Sequence, residues 1–262
     1  MGASPLQAPT PGGPPPGGAP DPGLWIRLGW SPDPDQLAAL LALQEQLRQW
    51  NSRLNLSRLV EGDDYWIGQV FDSLWPLRPL ISDPAAAAAP LVLIDVGTGG
   101  GFPGLAAAIA LPAARLTLVD SVGRKVEAVR AMAHALGLAE RVQLRCERIE
   151  RSGRLPDLRG RFDRALARAV ASAPVVAEYL VPLLAPQGQA VLYRGQWSGD
   201  DQASLERAVL QLNATVAEVE GCELPAGRGV RHAVRLRPLG PCPPGYPRAV
   251  GVALKTPLGG VA

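Results

Sequence analysis

Four glycines and two carboxylates raise the first chemical question. Gly97, Gly99, Gly100 and Gly101 follow directly on the apolar run 91–96, and Asp95 stands two residues ahead of them. Glycine lets the main chain take positive φ and lets a ligand approach the backbone closely, and Pro103 suits the first turn of a following helix. A second apolar run, 116–119, ends at Asp120. That is about 20 residues past the loop, where an acid can hydrogen-bond the two hydroxyls of a ribose. Strand, glycine loop, helix and second acid together make a nucleotide cradle.

Charge decides which nucleotide. Gly99, Gly101 and Gly104 satisfy the G-x-G-x-x-G spacing of dinucleotide binders, in which a helix N-terminus faces a pyrophosphate. A carboxylate at Asp95 would repel a pyrophosphate and attract a cationic ligand. S-adenosylmethionine, with its ammonium and sulfonium, is such a ligand, and D-x-G-x-G-x-G with a second acid after the next strand is the arrangement of methyltransferases that use it. A glycine turn without a ligand does not account for acids on both sides of the loop.

The elements that must position this loop follow from the apolar pattern. Strands are expected at 91–96, 116–120, 142–146, 162–166 and 189–193, and helices from 103, over 124–136, over 173–184 and over 200–212. Gly137 supplies a stop for the second of these helices. Two antiparallel runs, 215–219 and 232–237, complete the edge. Alternation of this kind predicts an α/β fold, a doubly wound, mostly parallel Rossmann-like sheet. Ahead of it, Asp33-Pro34-Asp35 starts a helix running to about 54, and a second helix from 63 or 64 turns Ile67, Val70, Phe71 and Leu74 inward. These form a small helical cap, with Trp50 and Trp66 expected in its core. The organisation reads as a Pro/Gly-rich disordered leader over 1–23, a cap over 24–82, the cradle domain over 83–240 and a basic tail over 241–262.

At 262 residues and 47% hydrophobic content the chain can bury a full core. Its three cysteines lack metal-ligand spacing, so neither a disulfide framework nor a metal site is expected. No apolar run approaches the roughly 18 residues of a membrane span, and a cytoplasmic protein that makes no use of a membrane is expected. The net charge of +2 conceals two basic segments. Nine arginines face four acids over 141–168, and six basic residues face none from 224 onward. Such segregation points to a phosphate-rich partner.

Several separated blocks resemble one bacterial family, the small-subunit ribosomal RNA guanine-N7 methyltransferases once called glucose-inhibited division protein B. They include Asn55-Leu56-Ser57, Asp72-Ser73-Leu74, the loop 95–104 with its Phe102-Pro103-Gly104 ending, and Thr117-Leu118-Val119-Asp120-Ser121. Further on stand Arg148-Ile149-Glu150, Ala167-Arg168-Ala169, Ala171-Ser172 and Gly195, and then Tyr246-Pro247-Arg248 with Gly251, Lys255 and Pro257-Leu258. The match spans roughly 37–258.

The resemblance implies an S-adenosylmethionine site to which Asp95 and the loop glycines Gly97, Gly99 and Gly101 belong. Gly97 and Phe102 would line it, Asp120, Ser121 and Val122 would hold the ribose side, and Ile149 with Glu150 would flank the adenine. Arg168 would belong to the same cofactor site and face its reacting end as the catalytic residue. The partner implied is 16S ribosomal RNA or the small-subunit particle, acted on by a monomer. Gly68-Gln69 stand where the family often has a basic residue and a histidine, Arg124-Lys125 reverse its usual order, Val170 replaces a phenylalanine and Arg194 a lysine. Guanine N7 carries a free lone pair, so no general base is required. The chain also lacks the Asn/Asp-Pro-Pro-Tyr/Phe motif of exocyclic-amine enzymes: the corresponding place reads Asp163-Arg164-Ala165-Leu166-Ala167-Arg168. The competing readings are another RNA site, a small-molecule acceptor, a nicotinamide oxidoreductase and an RNA-binding protein with a vestigial pocket. His134 and His232 are expected to be ordinary packing or surface residues.

Overall fold

The structure, a computed structural model, describes residues 20–260; the proline-rich leader through residue 19 lies outside them. Seven strands form one sheet in the order β3-β2-β1-β4-β5-β7-β6, with β1 Val92–Val96, β2 Arg115–Asp120, β3 Val142–Cys146, β4 Phe162–Arg168, β5 Leu184–Arg194, β6 Ala214–Glu223 and β7 Val230–Pro238. The first five are mutually parallel, and β7 pairs antiparallel with both β5 and β6. The strand order reverses between β1 and β4, and a ligand crevice opens at the carboxyl ends of such a switch point. The expected α/β class holds.

Alternation along the strands feeds two apolar layers. Leu93, Leu116 and Leu118 join one cluster with helices Gly104–Ala110 and Gly123–Ala135 and with the N-terminal helices. Ile94, Val96 and Val119 join the other, beneath helices Ala173–Leu180 and Gly199–Gln211. The long N-terminal helix Pro34–Leu54 starts in a capping box, Asp33 accepting from the Gln36 N–H at 2.8 Å while Gln36 accepts from the Asp33 N–H at 3.0 Å. Its partner is a continuous helical run over 62–81 whose section Trp66–Phe71 is a π-helix. The Tyr65 hydroxyl donates to the Leu40 carbonyl at 2.6 Å and locks the two together. Trp66 is buried as expected, whereas Trp50 is only half-buried.

Differences from the expected elements have local causes. β5 begins five residues early, because the chain bulges against β4 and Gly188 passes so close that a Cβ there would lie 2.5 Å from the Phe162 carbonyl oxygen. β4 continues two residues further and so carries Arg168 itself. Three short helices, Gly23–Leu28, Ile149–Ser152 and Val252–Lys255, escaped the periodicity argument, which needs more turns than they have. No helix among the described residues is long and apolar enough to cross a membrane.

Candidate active site

A cavity of about 990 Å³ opens at the carboxyl ends of β1, β2 and β4, with the helical cap as its far wall. Its floor is the glycine loop. Gly97 (φ +73°) and Gly99 (φ +57°) lie in the left-handed region, and a Cβ on Gly97 would meet Val170 Cγ2 at 2.6 Å. Val170 thus closes over the first glycine, and a side chain at 97 would force the two apart. Asp120, at the end of β2, lines the cavity beside Ser121 and orders the loop: it accepts from the Gly99 N–H at 3.0 Å and the Val122 N–H at 2.9 Å.

Asp95 is placed differently from its expectation. It is 0% exposed and lines no part of the cavity, and its Oδ2 accepts from the Gly104 N–H at 3.0 Å. The carboxylate buckles the loop to the start of the helix behind it; any attraction it exerts on a cationic ligand acts through the loop and not by contact. Burial pushes its pKa up to about 6, against the opposing pull of Thr98, the Gly104 N–H and the Arg168 charge. Gly101 also stays behind the surface, where its positive φ (+94°) makes the turn and a Cβ would strike Leu105 at 2.7 Å.

Of the residues assigned to the ribose and adenine sides, Ser121 and Ile149 line the cavity while Val122 and Glu150 do not. Val122 is exposed, and its N–H serves Asp120. Glu150 is buried beneath the wall, where its Oε1 accepts from the Tyr179 hydroxyl at 3.3 Å and the Arg148 guanidinium at 3.2 Å. Burial, together with the Glu150 carboxylate, pushes the Tyr179 phenol up to about 12.

Arg168 faces the cavity from the end of β4, held by the helical cap. Its Nη1 donates to the Gly68 carbonyl at 3.1 Å and to Asp72 Oδ2 at 3.2 Å, and its Nη2 donates to the Gln69 side-chain oxygen. Its guanidinium also lies 5.9 Å above the Phe102 ring, within cation–π range. Gln69, where a histidine was expected from the resemblance, here serves as an acceptor for Arg168. Asp72, Tyr193 and His232 also line the cavity, and sequence reasoning gave none of them a place there. Asp72 stood in a block that marked the resemblance, but only the fold reveals its partner 96 residues away. His232, expected to be ordinary, lies with Nδ1 2.6 Å from the Gly195 carbonyl oxygen. That carbonyl can only accept, so Nδ1 carries a proton.

The cysteines stand apart. None lines the cavity: Cys146 is exposed, and the Cys242 thiol is pushed up to about 11 by burial.

The family model for rRNA small subunit methyltransferase G matches residues 36–232. The chain belongs to that family. A relative named ribosomal RNA small subunit methyltransferase G from Synechococcus sp. (strain RCC307) is 64% identical over 234 residues, covering 89% of this chain and 97% of its own. Another of that name from Parasynechococcus marenigrum (strain WH8102) is 60% identical, covering 94% of this chain and 98% of its own. The fold is similar to that of an O-methyltransferase from Bacillus cereus solved in complex with SAH, at a TM-score of 0.52 and 14% identity over 74% of this chain and 89% of that one. Membership is what the Phe102-Pro103-Gly104 loop and its companion blocks led us to expect. The matched stretch begins inside helix Pro34–Leu54 and ends at His232, so most of β7 and the C-terminal segment lie beyond it.

Proposed function

We propose that this chain transfers a methyl group from S-adenosylmethionine to N7 of a guanine in 16S ribosomal RNA. The observation that carries the reading is the pairing of two walls in one cavity. A glycine cradle flanked by Asp120 faces Arg168, which the cap holds at three points. The residues present fit the cofactor. The bare loop at Gly97 and Gly99 leaves the backbone open to a ligand, Asp120 offers carboxylate oxygens at the strand end, and the cavity is within the roughly 300–1,000 Å³ usual for ligand pockets. Bound there, S-adenosylmethionine supplies a methyl group made electrophilic by its sulfonium.

The protein's own share of the work is placement. Guanine N7 needs no deprotonation, so holding acceptor and methyl group in line and excluding water carries most of the rate, with about 7–11 kcal/mol available from such orientation. Arg168, braced against Asp72 and Gln69, is a rigid donor suited to the acceptor edge that guanine presents beside N7. The absence of a cysteine from the lining among the described residues argues against attack at a pyrimidine C5, which requires that nucleophile.

The RNA contact belongs to the mouth of the cavity. Arg148, Arg194, Arg228 and Arg231 line it together with Lys125, and all keep part of their surface in solvent. The two basic segments divide differently from the even phosphate footprint their charge suggests. Arg235 is buried, donating to the Pro76 carbonyl at 2.9 Å and pairing with Glu220 at 2.9 Å, and Arg248 is paired with the buried Glu178 at 2.6 Å. Those two hold the fold. The test is transfer of labelled methyl from S-adenosylmethionine to small-subunit RNA, with the product mapped to the base atom; label on small molecules alone, or on another atom, would reject the reading.

A further inference from the structure

Beyond the stretch matched by the family model, residues 242–258 pack against the segment after β3 and against helix Ala173–Leu180 and bring Leu254 to the cavity. Arginines from the segment after β3 hold this strap by its backbone. Arg159 donates to the carbonyls of Tyr246 (2.6 Å), Cys242 (2.8 Å) and Pro243 (3.0 Å), and Arg154 donates to those of Pro247 (2.8 Å) and Gly245 (3.0 Å). Charge-assisted bonds to five successive or near-successive carbonyls fix a path and not merely a point. Gly153 is bare where the Pro247 ring crosses it; a Cβ there would lie 2.8 Å from the ring. Further along, Arg248 forks onto Glu178, with bonds of 2.9 Å to Oε1 and 2.6 Å to Oε2.

One bond ties the strap to the structure behind the cavity wall. The Gly251 N–H donates to Glu150 Oε1 at 3.0 Å, on the same oxygen that takes Arg148 and Tyr179. Arg148, Ile149 and Tyr179 all line the cavity. The turn that follows, Val252–Lys255, brings Leu254 into the same lining, where it remains 52% exposed. Apolar surface left at a pocket wall favours a ligand that covers it and takes it out of water. Glu150 Oε2 is buried with no hydrogen-bond partner, so the carboxylate's bonding is concentrated on the oxygen that faces the strap.

We propose that residues 242–258 complete the adenine side of the cofactor pocket, with Leu254 as an apolar contact for the purine and Glu150 as the positioning residue that joins strap to pocket. This rests on the cofactor reading given above. It gives Glu150 a role through Gly251 in place of direct adenine contact. It also gives the basic segment 141–168 a purpose within the fold: two of its arginines are strap anchors.

Calorimetry on the full chain tests it, with S-adenosylhomocysteine and with 5′-methylthioadenosine, which keeps the purine and lacks the amino-acid end. Leu254→Ala is expected to weaken both ligands by about five- to tenfold, with an unchanged melting temperature, and Leu254→Met is expected to restore them. Glu150→Ala should weaken both as well, and the double variant should bind little more weakly than either alone, because the two residues act on one contact. The KM for RNA should hold in Leu254→Ala. Equal affinity of wild type and Leu254→Ala for both ligands would overturn the strap proposal while leaving the cofactor reading intact. Failure of the wild type to bind S-adenosylhomocysteine would bring down both.

Discussion

Arg168 and Asp72 meet across 96 residues of chain, Nη1 to Oδ2 at 3.2 Å, and that bond joins the last residue of a central strand to the helical cap. Both side chains are largely buried, so the guanidinium has little freedom once its carboxylate is in place. Asp72→Ala leaves Arg168 with the Gly68 carbonyl and Gln69 and lets it swing. Misplacement by an ångström can cost about 10²-fold in rate. We expect kcat to fall by about that factor while the affinity for S-adenosylhomocysteine changes less than twofold, because Asp72 stands on the wall opposite the cradle. Single-turnover rates alongside calorimetry check this; an equal fall in both would mean that Asp72 supports the fold and not the acceptor side.

The arginines divide by place: Arg228, paired with the half-exposed Asp64 at 2.6 Å, and Arg231 line the cavity, whereas Arg235 and Arg248 hold the fold, and the division is measurable. Arg228→Ala and Arg231→Ala should weaken RNA binding and lower the slope of log affinity against log salt by about 0.7 to 0.9 for each phosphate that the variant no longer neutralises. Arg235→Ala should instead cost about 1–3 kcal/mol of stability, since it leaves the buried Pro76 carbonyl without its donor, while Glu220 loses one of two cations and keeps Arg78. Arg248→Ala should behave like Arg235→Ala, because Glu178 would keep a buried charge without its partner. Denaturation curves and salt titrations on the four variants separate the two groups. A salt slope that fell with Arg235→Ala and not with Arg231→Ala would reverse the assignment.

Asp95 makes a pH-dependent contribution of determined sign. Its folded pKa of about 6 lies above its ordinary value of 3.8, so in that window the folded protein binds more protons than the unfolded one and stability falls as pH rises. A raised carboxyl of this size costs about 3 kcal/mol once fully ionised. Asp95→Asn removes the titration and can still accept from the Gly104 N–H. Its stability relative to wild type should therefore climb between about pH 4 and 6 and then level off. Urea unfolding across that range gives the difference directly, and a difference that is flat or declines with pH would contradict the buried-carboxyl account.

The sheet was legible because each strand is a short apolar run bounded by turn residues, and the glycine loop because no other residue serves at Gly97 and Gly101. What escaped was decided at a distance. The partners of Arg168 come from the helical cap, those of Arg235 from β6 and a proline carbonyl, and those of the C-terminal strap from the segment after β3. A charge count over a segment cannot distinguish an arginine that faces phosphate from one that holds backbone carbonyls. Asp95 shows the same limit at close range. Its position at the strand end suggested a ligand-facing carboxylate, but the close approach of Gly104 turns it inward.

The central claim is tested most directly by locating the methyl group. Small-subunit RNA lacking the modification, treated with the protein and S-adenosylmethionine, is reduced and then cleaved with aniline, which breaks the chain where N7 of guanine is methylated and the ring carries positive charge. The account predicts one new cleavage, at a guanine in 16S RNA, and a single-turnover rate that does not fall on acidification, since N7 needs no base. Label retained on an exocyclic amine, a ribose or a C5 position would contradict it. So would a rate that falls tenfold per pH unit below about 7, the mark of a required base.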